Sequence, residues 1–127
     1  MSTRDLAYRL LQSTYYDSID KGDMVRACSA LHPDVDWTHA QVWAHHQFER
    51  AEASGFRGRQ AIQDFLTARV AQLAEARITH HVDDMVIEGD KGAFLGHVAG
   101  PDGTTRPFFV WFELRDGLIG RYTLRPL

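Results

Sequence analysis

Apolar residues near the start of the chain recur with helical spacing. Leu6, Leu10, Tyr15 and Ile19, with Leu11 and Tyr16 beside them, predict a first helix running to Gly22. Asp23 is placed to cap a second, shorter helix through Met24, Val25, Ala27, Cys28 and Leu31, which Pro33 brings to a close. Asp34 to Thr38 alternates, with Val35 and Trp37 on one side, and reads as a short strand. The polar, histidine-bearing stretch from His39 to Ser54 supports no assignment. Ile62, Phe65, Leu66, Val70 and Leu73 then form an amphipathic pattern, which predicts a third helix over Gly58 to Ala76.

After Ala76 the period falls to two. Ile78 to Ile87, Ala93 to Ala99, Arg106 to Leu114 and Leu118 to Leu124 read as strands, separated by turn residues such as Gly100-Pro101-Asp102-Gly103 and Arg115-Asp116-Gly117. Helices first and hairpin-linked strands afterwards predict an α+β domain, three N-terminal helices packed on one face of a curved antiparallel sheet. One domain is expected over residues 1–127, with no internal repeat.

Composition narrows the function classes. The net charge of -3 arises from 14 basic and 17 acidic residues scattered together, so nucleic acid is not an expected partner. No apolar run is long enough to span a membrane, and MSTRDLAYRL carries charge where a signal peptide would be apolar. The single cysteine, Cys28, excludes an intrachain disulfide, and a cytoplasmic location is the default expectation.

Several local strings then carry a resemblance. Tyr15-Tyr16-Asp17-Ser18-Ile19-Asp20-Lys21-Gly22-Asp23 resembles the end of helix one in the nuclear transport factor 2-like superfamily and its SnoaL-like branch. Asp34-Val35-Asp36-Trp37 resembles the first strand there, Arg57-Gly58-Arg59-Gln60-Ala61-Ile62 the entry to helix three, and Arg115-Asp116-Gly117-Leu118-Ile119 the last hairpin. The resemblance covers nearly the whole chain and implies a conical cavity between helices and sheet. It does not imply one reaction, because the superfamily includes ketosteroid isomerases, polyketide cyclases, limonene epoxide hydrolases, scytalone dehydratases and noncatalytic subunits.

Carried over residue by residue, the isomerase pattern supplies a phenol at Tyr15. It lacks the carboxylate base, where this chain has His39, and the protonated aspartic acid near Val110. The dehydratase pattern, an aspartate ending helix one and a histidine on the long strand after helix three, resembles Asp20 and His81; His97 is the nearest match to that family's second histidine.

Histidine titrates closest to neutrality, so one in the cavity can take a proton and return it to a leaving hydroxyl. His81 is the first choice, with Asp20 orienting it and Tyr15 and His39 donating hydrogen bonds. Strand alternation points His80 and His81 to opposite faces, and if Val82 shares the cavity face with His80, the cavity residue is His80. The plain alternatives are a wall histidine and an Asp20 that caps the turn at Gly22. Trp37, Phe56, Phe65, Phe112 and Tyr122 offer aromatic lining for a ligand, or ordinary core. His39, His45 and His46 flank Trp43, but adjacent histidines make poor joint ligands and no metal is expected. The stretch from His39 to Phe56 is a candidate lid.

No nucleotide or serine-hydrolase motif is present, so no cofactor is expected. The leading expectation is a cofactor-independent acid–base enzyme that dehydrates, isomerises or cyclises a small apolar oxygenated molecule. The alternatives are a noncatalytic small-ligand-binding or association module and an accessory subunit of a larger oxygenase. A homodimer is expected, with Trp111, Glu113, Arg121 and Thr123 on the outer sheet face.

Overall fold

A computed structural model describes residues 2–40, 42 and 54–127. Helix one begins at Ser2, whose hydroxyl accepts the Asp5 N–H and caps the first turn. It continues unbroken through three segments: α1 (Thr3–Tyr8), a π-helical segment (Arg9–Tyr16) and α2 (Asp17–Asp20). Backbone angles stay right-handed helical across both junctions, so only the hydrogen-bond step changes. The wider π step is rare, and here it occupies the stretch that faces the sheet.

Asp23 caps α3 (Met24–Cys28) by accepting the Arg26 N–H, as the sequence predicts. The helix ends earlier than expected. Leu31 already belongs to β1 (Leu31–His39), and Pro33 lies inside that strand rather than closing a helix. Proline is tolerated there because pairing with the neighbouring strand slips between Leu31 and Asp36, leaving no ladder N–H for it to supply. The unassigned stretch ends in a short strand, β2 (Ser54–Arg57), paired antiparallel with β1. The third predicted helix divides into α4 (Arg59–Thr67) and α5 (Val70–Ala76).

Four long strands follow at nearly the predicted positions: β3 (Thr79–Glu88), β4 (Lys91–Ala99), β5 (Thr105–Arg115) and β6 (Leu118–Pro126). Asp116 and Gly117 both take positive φ in the last hairpin, the geometry of a tight primed turn. The described strands form one six-stranded sheet in the order β2-β1-β6-β5-β4-β3. It is mixed rather than antiparallel throughout, because β1 runs parallel to β6. Pairing β1 with β6 sets the first long strand beside the last, in the middle of the sheet.

The core lies between the helices and the concave side of the sheet. Leu11, Ile19, Ala27 and Ile62 meet Trp37, Phe94, Phe108, Val110 and Tyr122, all buried. A buried aromatic ring removes ~150–250 Å² from water, worth roughly 4–6 kcal/mol before entropy is counted. A buried hydroxyl left without a partner costs ~1–3 kcal/mol. Buried tyrosines are therefore favourable here when their hydroxyls find one another.

Candidate active site

Helix one presents Gln12, Tyr16 and Asp20, each four residues from the next, to the start of β3. Asp20 holds His80 twice. One carboxylate oxygen accepts the His80 ring Nδ1–H at 2.6 Å, and the other accepts its backbone N–H at 2.8 Å. With Nδ1 committed as donor, Nε2 carries the free lone pair, and among the described residues nothing bonds to it. The two side chains keep 14% and 11% of their exposure, enough to be reached and little enough to be held.

The His80 ring lies parallel to Tyr16, with centroids 5.3 Å apart. Tyr16 Oη is 2.6 Å from Tyr122 Oη, so one phenol donates to the other and one O–H of the pair remains to be donated. Tyr15 lies behind them and accepts the Trp37 indole N–H at 3.0 Å, which leaves its own proton for donation. Burial pushes all three phenols well above the ordinary tyrosine range, so each is a donor at neutral pH and none is a base.

Trp37 extends the aromatic wall. It stacks on Tyr122 at 6.1 Å and on His39 at 5.4 Å, and it meets Phe56 and Phe65 obliquely. His39 is pushed down to about 4, by burial first and then by repulsion from His80 in its protonated form and from the Arg69 guanidinium. It is a neutral imidazole at physiological pH. Arg69 itself lies over the Phe65 ring at 3.7 Å.

The expected site residues thus separate into two groups. Asp20, Tyr15, His39, Trp37, Phe56, Phe65 and Tyr122 share one connected interior cluster. Phe112 is fully buried and packs against Phe94 and the bare face of Gly92, as part of the core floor. His81 does not meet Asp20. It stacks on its cross-strand partner His97 at 4.7 Å and bonds Thr79 Oγ1 at 2.8 Å, while His97 bonds the exposed Asp83. The physical reason is the pleat: Ile78 and Val82 are buried, so His80 shares their face and His81 takes the other. The His80 alternative is the one the backbone selects. Trp43, His45 and His46 lie outside the described residues, as does most of the expected lid. Among the described residues no group of three metal-ligating side chains converges.

A family model for the SnoaL-like domain matches residues 13–122. The chain belongs to the SnoaL-like family. This SnoaL-like chain carries the nuclear transport factor 2-like fold, shared with solved structures at low identity. A candidate ketosteroid isomerase from Kribbella flavida aligns with a TM-score of 0.65 at 21% identity, covering 98% of this chain and 77% of that one. A candidate polyketide cyclase from Sinorhizobium meliloti gives 0.65 at 19%, covering 98% and 100%. TsrD from Streptomyces laurentii gives 0.67 at 18%, covering 97% and 89%. No curated protein matches the chain. Among the described residues no helix of this SnoaL-like domain is long and apolar enough to cross a membrane.

Proposed function

We propose that this SnoaL-like chain is a cofactor-independent acid–base enzyme, a lyase or isomerase by class, acting on a small apolar oxygenated molecule. The observation that carries the reading is the Asp20–His80 pair, a carboxylate that fixes an imidazole whose other nitrogen has no partner among the described residues. In the proposed step His80 Nε2 removes a proton beside a carbonyl, and the Asp20 carboxylate stabilises the imidazolium that forms. The phenol protons left over at Tyr15 and in the Tyr16–Tyr122 pair meet the charge that develops on the substrate oxygen. His80 then returns its proton to carbon, for isomerisation, or to a departing hydroxyl, for dehydration. His39 stays neutral and adds no competing charge.

Dehydration, isomerisation and aldol-type cyclisation share that first abstraction. The test is to incubate the protein in D₂O with a panel of small enolisable ketones and hydroxy ketones and follow deuterium entry at the α-carbon by NMR. Exchange above the buffer rate on at least one compound is the expected result. Binding without exchange across the panel would favour the second reading, a ligand-binding or association module. The near-complete burial of the phenols favours that module: Tyr15, Tyr16 and Tyr122 are 2%, 1% and 1% exposed. The proposal also includes a homodimer through the outer sheet face. Leu95, Phe109 and Trp111 are exposed there in adjacent register, beside the charged Glu113 and Arg121.

A further inference from the structure

Among the described residues β3 is an edge strand, so one side of its backbone has no described strand to pair with. At His80 that side is occupied by the carboxamide of Gln12. Its Nε2 donates to the His80 carbonyl at 2.9 Å, and its Oε1 accepts the Val82 N–H at 2.7 Å. The remaining Nε2 hydrogen goes to Asp17 Oδ1, also at 2.9 Å. Both donors and the acceptor are committed, and turning the amide over would set like against like at all three contacts.

From this geometry we infer that Gln12 is a positioning residue for His80. It grips the backbone on both sides of His81, while Tyr16 packs the ring and Asp20 holds Nδ1. Residues four apart drift by ~40° around an α-helix, which would swing Gln12 away from a strand that Asp20 touches. The π-helical segment from Arg9 to Tyr16 opposes that drift, and its i→i+5 step is the spacing at which Gln12 meets Asp17. The rare helix segment and the carboxamide clamp are therefore parts of one device.

The inference rests on the acid–base reading for its functional meaning, but its test needs no substrate. With ring-¹⁵N histidine, wild-type His80 is expected to show one tautomer, with hydrogen on Nδ1 and a slowly exchanging downfield proton. Gln12→Met keeps the side chain's length without its polar atoms. Gln12→Glu keeps the shape but turns an oxygen toward the His80 carbonyl and Asp17. In either variant that resonance should fall to roughly half or less, with the second tautomer appearing, since the His80 carbonyl and the Val82 N–H lose their partner and the outer edge of the strand is then held at His80 by Asp20 alone.

Arg4→Leu is the control. Arg4 also ties helix one to β3, through the Met85 carbonyl at 2.6 Å, but away from His80. It should leave the resonance unchanged. An intact His80 signal in a folded Gln12 variant, or an equal loss in Arg4→Leu, overturns the inference. Loss of ring order in Gln12→Met, in a protein whose wild type exchanges no α-proton, would uphold the positioning role and remove the acid–base reading instead.

Discussion

Replacing Asp20 by Asn changes one atom and reverses the chemistry of the pair. The carboxylate accepts from two donors, the His80 backbone N–H at 2.8 Å and the ring Nδ1–H at 2.6 Å. An asparagine has one acceptor. If its oxygen keeps the backbone N–H, its NH₂ group faces Nδ1, and the ring can be accommodated only by moving its proton to Nε2. The variant keeps two hydrogen bonds but loses their charge assistance, a difference of ~1 kcal/mol each, so urea unfolding should show a loss of ~2 kcal/mol with an unchanged slope. Ring-¹⁵N spectra should show the Nε2–H tautomer. The basic nitrogen is then blocked, and any α-proton exchange should fall ~100-fold or more. Persistence of the Nδ1–H tautomer in Asp20→Asn, with stability within ~0.5 kcal/mol of wild type, would refute the assignment of Asp20 as the orienting group.

Other consequences follow from the same structure. Burial holds the His39 imidazole down at about 4 in the folded chain, against its ordinary value of 6.5. Between those values the unfolded chain binds more protons, so stability falls as pH drops from about 6.5 to about 4, by ~3 kcal/mol at most. His39→Gln should flatten that part of the urea-midpoint profile, and an unchanged slope would count against a neutral, partly buried His39. Tyr16→Phe strands the Tyr122 hydroxyl and should cost ~1–3 kcal/mol, whereas the double change to Phe at both positions should cost less than the sum of the two single changes; strict additivity would dissolve the pair. A methyl added at Gly96 would sit 2.5 Å from the His81 carbonyl and 2.8 Å from Phe108, so Gly96→Ala should lower stability by ~1–3 kcal/mol and a neutral result would be inconsistent with this packing. For the proposed homodimer, light scattering should report a dimer that Trp111→Lys converts to monomer; a wild-type monomer at micromolar concentration removes the claim.

How much of this was legible in the sequence depends on the range over which each feature is determined. Helix one, the Asp23 cap and the four terminal strands follow from periodicity and turn residues within a few positions, and they stand nearly where the pattern puts them. The parallel pairing of β1 with β6 joins segments some eighty residues apart in sequence, beyond the reach of any local period. Pro33 signals a helix end by its missing N–H, but the same property suits a strand position where the ladder is already interrupted. Alternation at 78–82 limited the cavity histidine to one of two, and Val82 was the deciding residue. Matching the strand to the dehydratase pattern favoured His81 instead, and a register shift between Val82 and Asp84 makes such counting along β3 unsafe. Gln12 could not be found this way at all. Its partners on β3 are 68 and 70 positions distant, and a glutamine on a helix looks like any solvated one until the strand is docked.

In the proposed step His80, and not its neighbour on the other face of the sheet, moves the proton. The most direct measurement is α-proton exchange in D₂O by His80→Gln and His81→Gln, on a compound that the wild type exchanges. His81→Gln should retain the wild-type rate within about twofold, and His80→Gln should lose ~100-fold or more while remaining folded. Exchange that survives in His80→Gln, or is lost in His81→Gln, would contradict the account.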